Sequence, residues 1–527
     1  MSRATLVCGA ALVSLVTVFV PACSATPPAA ETQPAAATPG ATPRAEQALL
    51  DDLAVANRIL TKELAILDIQ AHVTARSLTN PNHYYIARFI APGAVTTSDF
   101  IENDLESNSV DGPRNDQARE TYLHGETFKA RPDVMAVVHA HTPEFVSYGL
   151  SSVPLWNGTD PLPVFDLRPF NNGRSGIIST PALGKAMAEK MGKSDAVLLW
   201  GHGITLGGTS IADAITRVAE LRDTAKIQQA TIASGGTWKP QPRPVDDTAT
   251  ERTWAIYKAR MLKDMGGKVL MTAAPAPAKP SDPAEIARRD VVVANRILAS
   301  DQVGVLDAVG VVSVRNPNNP NSYFVAPKVA AGAVTAGDVV ERDVTKGAAD
   351  TDADTQGLSI HDEIYKAHPE VKAILYARTP EIVAFSGSVP LRATVNGANF
   401  IGEGLPVVTV DPGTPAWENP EVARAAAAVL DRKGAVLLSG QGIVMTAGSI
   451  YNLVDRTYQV KQNAKIQAQA LALRGKVTYL ADLPQAAVAT AANEGGRGGQ
   501  GGQAPAQQLG PPEGRAWVYW AETTPIN

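Results

Sequence analysis

Apolar and polar positions along this chain change period repeatedly, and each change marks an element. From Leu50 to Leu64 the apolar residues recur at helical spacing, which predicts an amphipathic helix. Shorter runs rich in aromatic and β-branched residues follow, such as Tyr84-Tyr85-Ile86-Ala87-Arg88, and predict strands. Ala118–Ala130 reads as a helix stopped by Pro132. The unbroken apolar run Val134-Met135-Ala136-Val137-Val138 then leads into His139-Ala140-His141, a buried strand with two histidines at its end. Leu198-Leu199-Trp200 is another buried-looking strand and runs into the glycine turn Gly201-His202-Gly203. A long helix is predicted from about Ser210 to Ser234. Strands alternate with helices, so a helix-covered sheet of the α/β class is expected.

The pattern is then written a second time. Val55-Ala56-Asn57-Arg58-Ile59-Leu60 returns as Val293-Ala294-Asn295-Arg296-Ile297-Leu298, Gly93-Ala94-Val95-Thr96 as Gly332-Ala333-Val334-Thr335, and Ala225-Lys226-Ile227-Gln228 as Ala464-Lys465-Ile466-Gln467. The period is too long for a solenoid and indicates a domain duplication. Repeat one spans 47–272 and repeat two 284–527, joined by a proline-rich linker at 273–283. Repeat two carries a Gly/Gln/Pro insertion at about 483–513, read as disordered. Beyond it Arg515-Ala516-Trp517 matches Arg252-Thr253-Trp254, so the last residues form a genuine C-terminal element.

Composition narrows the setting. A chain of 527 residues calls for two or three domains, and a hydrophobic content of 45% supports full cores. The net charge of −5 offers no basic footprint for nucleic acid. Residues 1–22 read as a signal peptide: Arg3, an apolar stretch from Ala4 to Val20, then Val20-Pro21-Ala22-Cys23, which resembles a lipoprotein processing site despite Pro21. Export to the periplasm or cell envelope is expected, with Cys23 as lipid anchor, the only membrane attachment, and 23–46 as an Ala/Pro/Thr-rich tether; ordinary secretion is the alternative. The two cysteines, Cys8 and Cys23, both fall in the signal, so any metal site must use His and carboxylate.

Such a site suggests itself. Side chains alternate along a strand, so His139 and His141 face the same way. Glu120 and His124 precede them at a helical i,i+4 spacing, and His202 follows in its turn. Three histidines and a carboxylate leave room for substrate at a metal. Taken alone, His202 reads more readily as a packing residue. The second copy sharpens the choice. It places Tyr376, Arg378, Gln441 and Gly357 where the first has His139, His141, His202 and Glu120, so the candidate set is lost together. His124 persists as His361, which fits a supporting role.

Glu-x-x-x-His, Arg-Pro-Asp, Val-Val-His-x-His and Leu-Leu-x-x-His-Gly together resemble the class II aldolase/adducin family over nearly all of 47–262, and again degenerately over 284–527. The resemblance implies two tandem three-layer α/β/α domains, each with a mainly antiparallel or mixed sheet. It implies His139, His141 and His202 as metal ligands, with zinc the first expectation and manganese or another divalent ion the alternative. Glu120 takes the acid/base role. Where the family's sugar-phosphate aldolases have Gly-Asn and paired serines, this chain has Ala71-His72 and Ala118-Arg119. A non-phosphorylated substrate is therefore expected, with His72, Arg76, Arg119 and His124 as candidate substrate contacts, meeting a carboxylate or phenolate; for the arginines and His72 an ordinary surface ion pair is the alternative. The pattern is similar to branches that include decarboxylases of hydroxylated aromatic acids. A metal-dependent carbon–carbon lyase follows, of aldolase or decarboxylase type, acting on a small hydroxylated carbonyl or carboxylate compound through a metal-stabilised enediolate. The alternative is a non-catalytic, adducin-like metal- or ligand-binding module of the cell envelope. The resemblance also implies a homo-oligomer with sites at subunit interfaces. Repeat two would then stand in for a neighbouring subunit and complete repeat one's pocket near Arg515 and Trp517, unless the repeats are independent beads.

Overall fold

A computed structural model describes residues 42–170, 176–242, 247–269, 280–307, 309–327, 329–345, 358–411, 415–416, 419–482 and 513–524. The signal, Cys8, Cys23, most of the tether and linker, Gly357 and nearly all of the 483–513 insertion lie outside them. Among the described residues no helix is long and apolar enough to cross a membrane.

Each repeat is built on a seven-stranded sheet. In repeat one the strands are β1 (His72–Arg76), β2 (His83–Ala87), β3 (Phe100–Asp104), β4 (Ala136–Ala140), β5 (Val164–Phe165), β6 (Ala196–Leu199) and β7 (Gly203–Gly208), in spatial order β3-β2-β1-β4-β7-β6-β5. Repeat two has β8 (Val311–Arg315), β9 (Ser322–Val325), β10 (Val340–Asp343), β11 (Ala373–Ala377), β12 (Val407–Val408), β13 (Ala435–Leu438) and β14 (Gly442–Ala447). Their order, β10-β9-β8-β11-β14-β13-β12, repeats the first sheet strand for strand. All neighbours are antiparallel except the edge pairs β5–β6 and β12–β13. The mixed sheet and the two-domain α/β architecture are as the sequence implied.

Local chemistry sets the element ends. Thr42 caps the first helix, Pro43–Arg58, whose last turn continues as a π-type turn through Glu63. The helix thus starts earlier than its apolar stripe, within the expected tether. The reason is Glu46, whose buried carboxylate accepts from Ser77 Oγ and the Leu78 and Thr79 amides and pins the helix to the β1–β2 turn. The helix expected at Ala118 begins only at Thr121 and runs to Ala130. Glu120 keeps a non-helical backbone, so it does not share a helix face with His124. Thr142-Pro143 ends the His139 strand by opening the helix Pro143–Leu150. Ser210 caps Ile211–Ala233, the predicted long helix.

The repeats are packed together rather than strung apart. Val146, Leu150 and Trp200 of repeat one are buried in the same apolar cluster as repeat two's core, and Leu473 reciprocates. Backbone bonds join Ser152 to Lys476 and Thr478 to Leu150. The helix Arg515–Thr523 reaches the helix Pro283–Ala299 and lays Tyr519 against Gly93, where a side chain would collide with the phenol ring.

Candidate metal centre

The centre sits where β4 ends. Strand β1 pairs His72 with His139, and β7 pairs Thr205 with His139. His139 lies on the strand and His141 one step past it, both on one face. The β6–β7 turn uses Gly201 at φ +62° to bring His202 over the same point. At Gly203 a Cβ would run into the Ala140 carbonyl and the His141 ring, so glycine alone permits this approach. Glu120 reaches in from the start of its helix, with Oε1 accepting from the Ile178 amide at 2.9 Å.

Four donors converge. His139 Nε2 and His141 Nε2 are 2.8 Å apart, and Glu120 Oε2 is 3.4 Å from His139 Nε2 and 3.5 Å from His202 Nε2. The candidate donor atoms all lie within 4.8 Å of one another. Ligand atoms around one zinc stand roughly 3.3–3.6 Å apart, a spacing that the two Glu120 contacts match and the histidine pair undercuts, so the cluster is close enough for one ion with the histidines as its ligands. Protonation argues the same way. His139 Nδ1 faces the Ile204 carbonyl at 3.0 Å, and His141 Nδ1 faces both oxygens of Asp68 at 3.1 and 3.2 Å. Those acceptors hold the ring protons on Nδ1, which leaves lone pairs on the two facing Nε2 atoms. A single proton cannot satisfy four donors aimed at one point; a divalent cation can. His202 is less firmly held, its Nδ1 being buried with no hydrogen-bond partner among the described residues.

The charges interlock. Burial opposes ionisation of Glu120, but His202 and His139 outweigh it and hold the carboxyl well below its ordinary value. Burial lowers His139 to about 4, against the pull of Glu120. Burial also lowers His141, yet the Asp68 carboxylate more than reverses this and raises it.

A cavity of about 270 Å³ opens beside Glu120. Repeat one contributes Ile69, His72, Phe89, Arg119 and Ile177, and repeat two contributes Tyr451, Asp455, Arg515 and Trp517. The Arg515 guanidinium lies 3.9 Å from the centre of the Phe89 ring and that of Arg119 5.3 Å. Burial lowers Arg515 to about 10, partly countered by Asp68.

Of the expected substrate contacts, His72 and Arg119 line this cavity. Arg76 does not. Its guanidinium is used on the carbonyls of Pro81, Val134, Phe128 and Arg131, and Arg315 repeats those bonds in repeat two. Four residues along a strand carry it about 13 Å from His72. His124 is a support rather than a contact: its Nδ1 bonds Thr74 Oγ1 at 2.8 Å and its Nε2 bonds His72 Nδ1 at 2.9 Å. Sequence reasoning missed Asp68. Its one signal is the turn it caps, accepting from the Gln70 and Ala71 amides at 2.9 and 2.8 Å, a pattern common to many aspartates.

Repeat two has no such centre among its described residues. Tyr376 is buried where His139 would stand, and its hydroxyl donates to the Gln441 carbonyl at 3.1 Å. The Gln441 side chain accepts from the Ala416 amide at 2.7 Å.

The family profile described as "Class II Aldolase and Adducin N-terminal domain" matches residues 51–229 and again 289–468, more than half of the chain. The chain belongs to the class II aldolase and adducin family. Among curated relatives it is 30% identical over 131 residues to a 3,4-dihydroxyphthalate decarboxylase of Rhodococcus jostii, covering 23% of this chain and 51% of that protein. It is 29% identical over 175 residues to alpha-adducin of Mus musculus, covering 32% of this chain and 23% of that protein. The chain thus spans about half the length, or less, of these relatives. Among solved structures, an aldolase II superfamily protein from Pseudomonas syringae aligns at 20% identity with a TM-score of 0.35, covering 43% of this chain and 96% of that one.

Proposed function

We propose that this class II aldolase-type protein is a divalent-metal-dependent carbon–carbon lyase that decarboxylates a small, hydroxylated, non-phosphorylated acid. The observation that carries the reading is the convergence of Glu120, His139, His141 and His202, with Glu120 also lining a cavity that holds two arginines. The similarity to a decarboxylase of a dihydroxylated aromatic acid supports the same choice. A metal held there, with zinc the first candidate, would act as a Lewis acid on substrate oxygens and stabilise negative charge as the carbon–carbon bond breaks.

The side chains divide the remaining work. Asp68 and the Ile204 carbonyl orient His141 and His139. Arg119 and Arg515 supply positive charge for the substrate's anionic groups, and Phe89 gives an aromatic ring a face to lie against. Loss of carbon dioxide leaves a carbon that must be protonated. Glu120, ionised at rest, is placed to take up a proton from water or a substrate hydroxyl at Oε2 and pass it to that carbon, since the Ile178 amide holds Oε1. Repeat two acts as a wall of the site and not as a second enzyme.

The test is to load the full chain with zinc or manganese and assay carbon dioxide release from a panel of hydroxylated aromatic acids. Metal-dependent release supports the proposal. Metal-dependent formation of an aldehyde from hydroxycarbonyl compounds instead would assign the aldolase reaction. Neither product, with metal bound, would make the chain a binding module.

A further inference from the structure

The duplication sorts residues that serve the fold from residues that serve the chemistry. In both repeats a hydroxyl on the first sheet strand bonds a helix histidine: Thr74 to His124 Nδ1 at 2.8 Å, and Ser313 to His361 Nδ1 at 2.8 Å. Repeat one adds a third member, His72, whose Nδ1 is 2.9 Å from His124 Nε2. Its counterpart in repeat two is Val311, because Val311 pairs with Tyr376 as His72 pairs with His139. The change leaves His361 Nε2 buried without a hydrogen-bond partner among the described residues. A histidine kept for packing would have been retained with the pair it completes. His72 has instead disappeared with His139, His141 and His202.

The direction of the hydrogen bonds follows from the far end of the chain. We assign the hydroxyl proton of Thr74 to the Val137 carbonyl, which only accepts and lies 3.4 Å from Oγ1. Thr74 then accepts from His124 Nδ1, which leaves a lone pair on His124 Nε2. That lone pair accepts from His72 Nδ1. His72 therefore presents a lone pair at Nε2, an atom with no hydrogen-bond partner shown among the described residues. His72 lines the cavity together with Glu120 and Arg119.

We propose that His72 Nε2 is the acceptor for a substrate hydroxyl and selects hydroxylated over unhydroxylated acids. The inference rests on the lyase reading and names one contact of that site. Of the two groups expected opposite His72, a carboxylate or a phenolate, it selects the phenol in its protonated form, since a carboxylate would bring lone pairs against a lone pair. The substrate's carboxylate belongs to Arg119 and Arg515.

The experiment uses the full, metal-loaded chain and three probes: 3,4-dihydroxybenzoate, 3-hydroxybenzoate and 4-hydroxybenzoate. Binding constants are measured by calorimetry for wild type, His72→Val and His72→Gln. Valine is what repeat two carries at this position, above an intact Ser313–His361 pair, so the strand accommodates it. Wild type is expected to prefer the dihydroxy acid over both analogues. In His72→Val the preference over one analogue should fall by about tenfold or more at unchanged metal content, and His72→Gln, which offers an amide oxygen, should recover part of it. An unchanged preference in His72→Val overturns the assignment. Loss of metal from that variant overturns it too, because it would make His72 a support of the centre. If wild type binds none of the three acids, the substrate class in the lyase reading fails, a result distinct from either.

Discussion

Asp68→Asn is the most informative single change at the centre. Both carboxylate oxygens of Asp68 face His141 Nδ1, at 3.1 and 3.2 Å, while Oδ1 alone accepts the Gln70 and Ala71 amides. Asparagine keeps an oxygen for the turn and for the imidazole. It removes the negative charge that raises His141 and the second acceptor that fixes its ring. The local shape should therefore survive while the ligand loses basicity and orientation. Partners of this kind contribute about 10–100-fold in metal affinity, which is about 1.4–2.7 kcal/mol. The assay is competition between the metal-free chain and a chromophoric chelator, followed by thermal unfolding of each metal-free protein. The expected result is weaker metal binding by that factor with an almost unchanged metal-free melting temperature. Equal metal affinity in the two proteins would refute the argument that the Asp68–His141 pair prepares the site.

The remaining predictions are simpler. Glu120→Gln should keep its metal and lose about 10²–10⁴-fold in turnover; full activity on a substrate that wild type converts would remove Glu120 from the proton transfer. Metal-free protein should lose stability as pH falls. His139 and His72 titrate at about 4 and about 3 when folded, burial being the largest cause, against 6.5 when unfolded. The unfolded chain therefore takes up these protons first, and the stability present above about pH 6.5 drains away between there and pH 3. His141, raised by Asp68 against its burial, works in the opposite sense, its contribution present below pH 6.5 and fading as pH rises. Melting temperatures that do not fall on acidification to about pH 4 would contradict this balance. Cys23→Ser should move the protein from the membrane fraction to the soluble one; a wild type that is already soluble would favour plain secretion.

Much of this site was legible because strands report their own geometry. An apolar run ending in His139-Ala140-His141 fixes which way both rings point, and the second copy showed which residues travel with them. The reading was weaker where direction along an element matters. His72, Thr74 and Arg76 share one face of β1 by period two, yet only His72 lies at the end that meets the cavity. Arg76 lies deep in the sheet and serves loop carbonyls. Glu120 and His124 looked like a helical pair because the spacing fits, but the helix starts one residue after Glu120, and the two side chains take different jobs. Asp68 gave no usable signal, being one aspartate in a loop until the fold brings His141 to it. Arg515 was findable only through its match to Arg252, since nothing local in the sequence places it against Phe89 some four hundred residues earlier.

The central claim is that repeat one carries a metal centre held by His139, His141 and His202, with Glu120 beside it as the acid/base. The most direct measurement is the metal content of the full-length chain, purified and equilibrated with zinc, beside its His139→Ala variant. One tightly held ion per wild-type chain, lost in the variant, is the predicted result. Equal metal content in the two proteins would contradict the account.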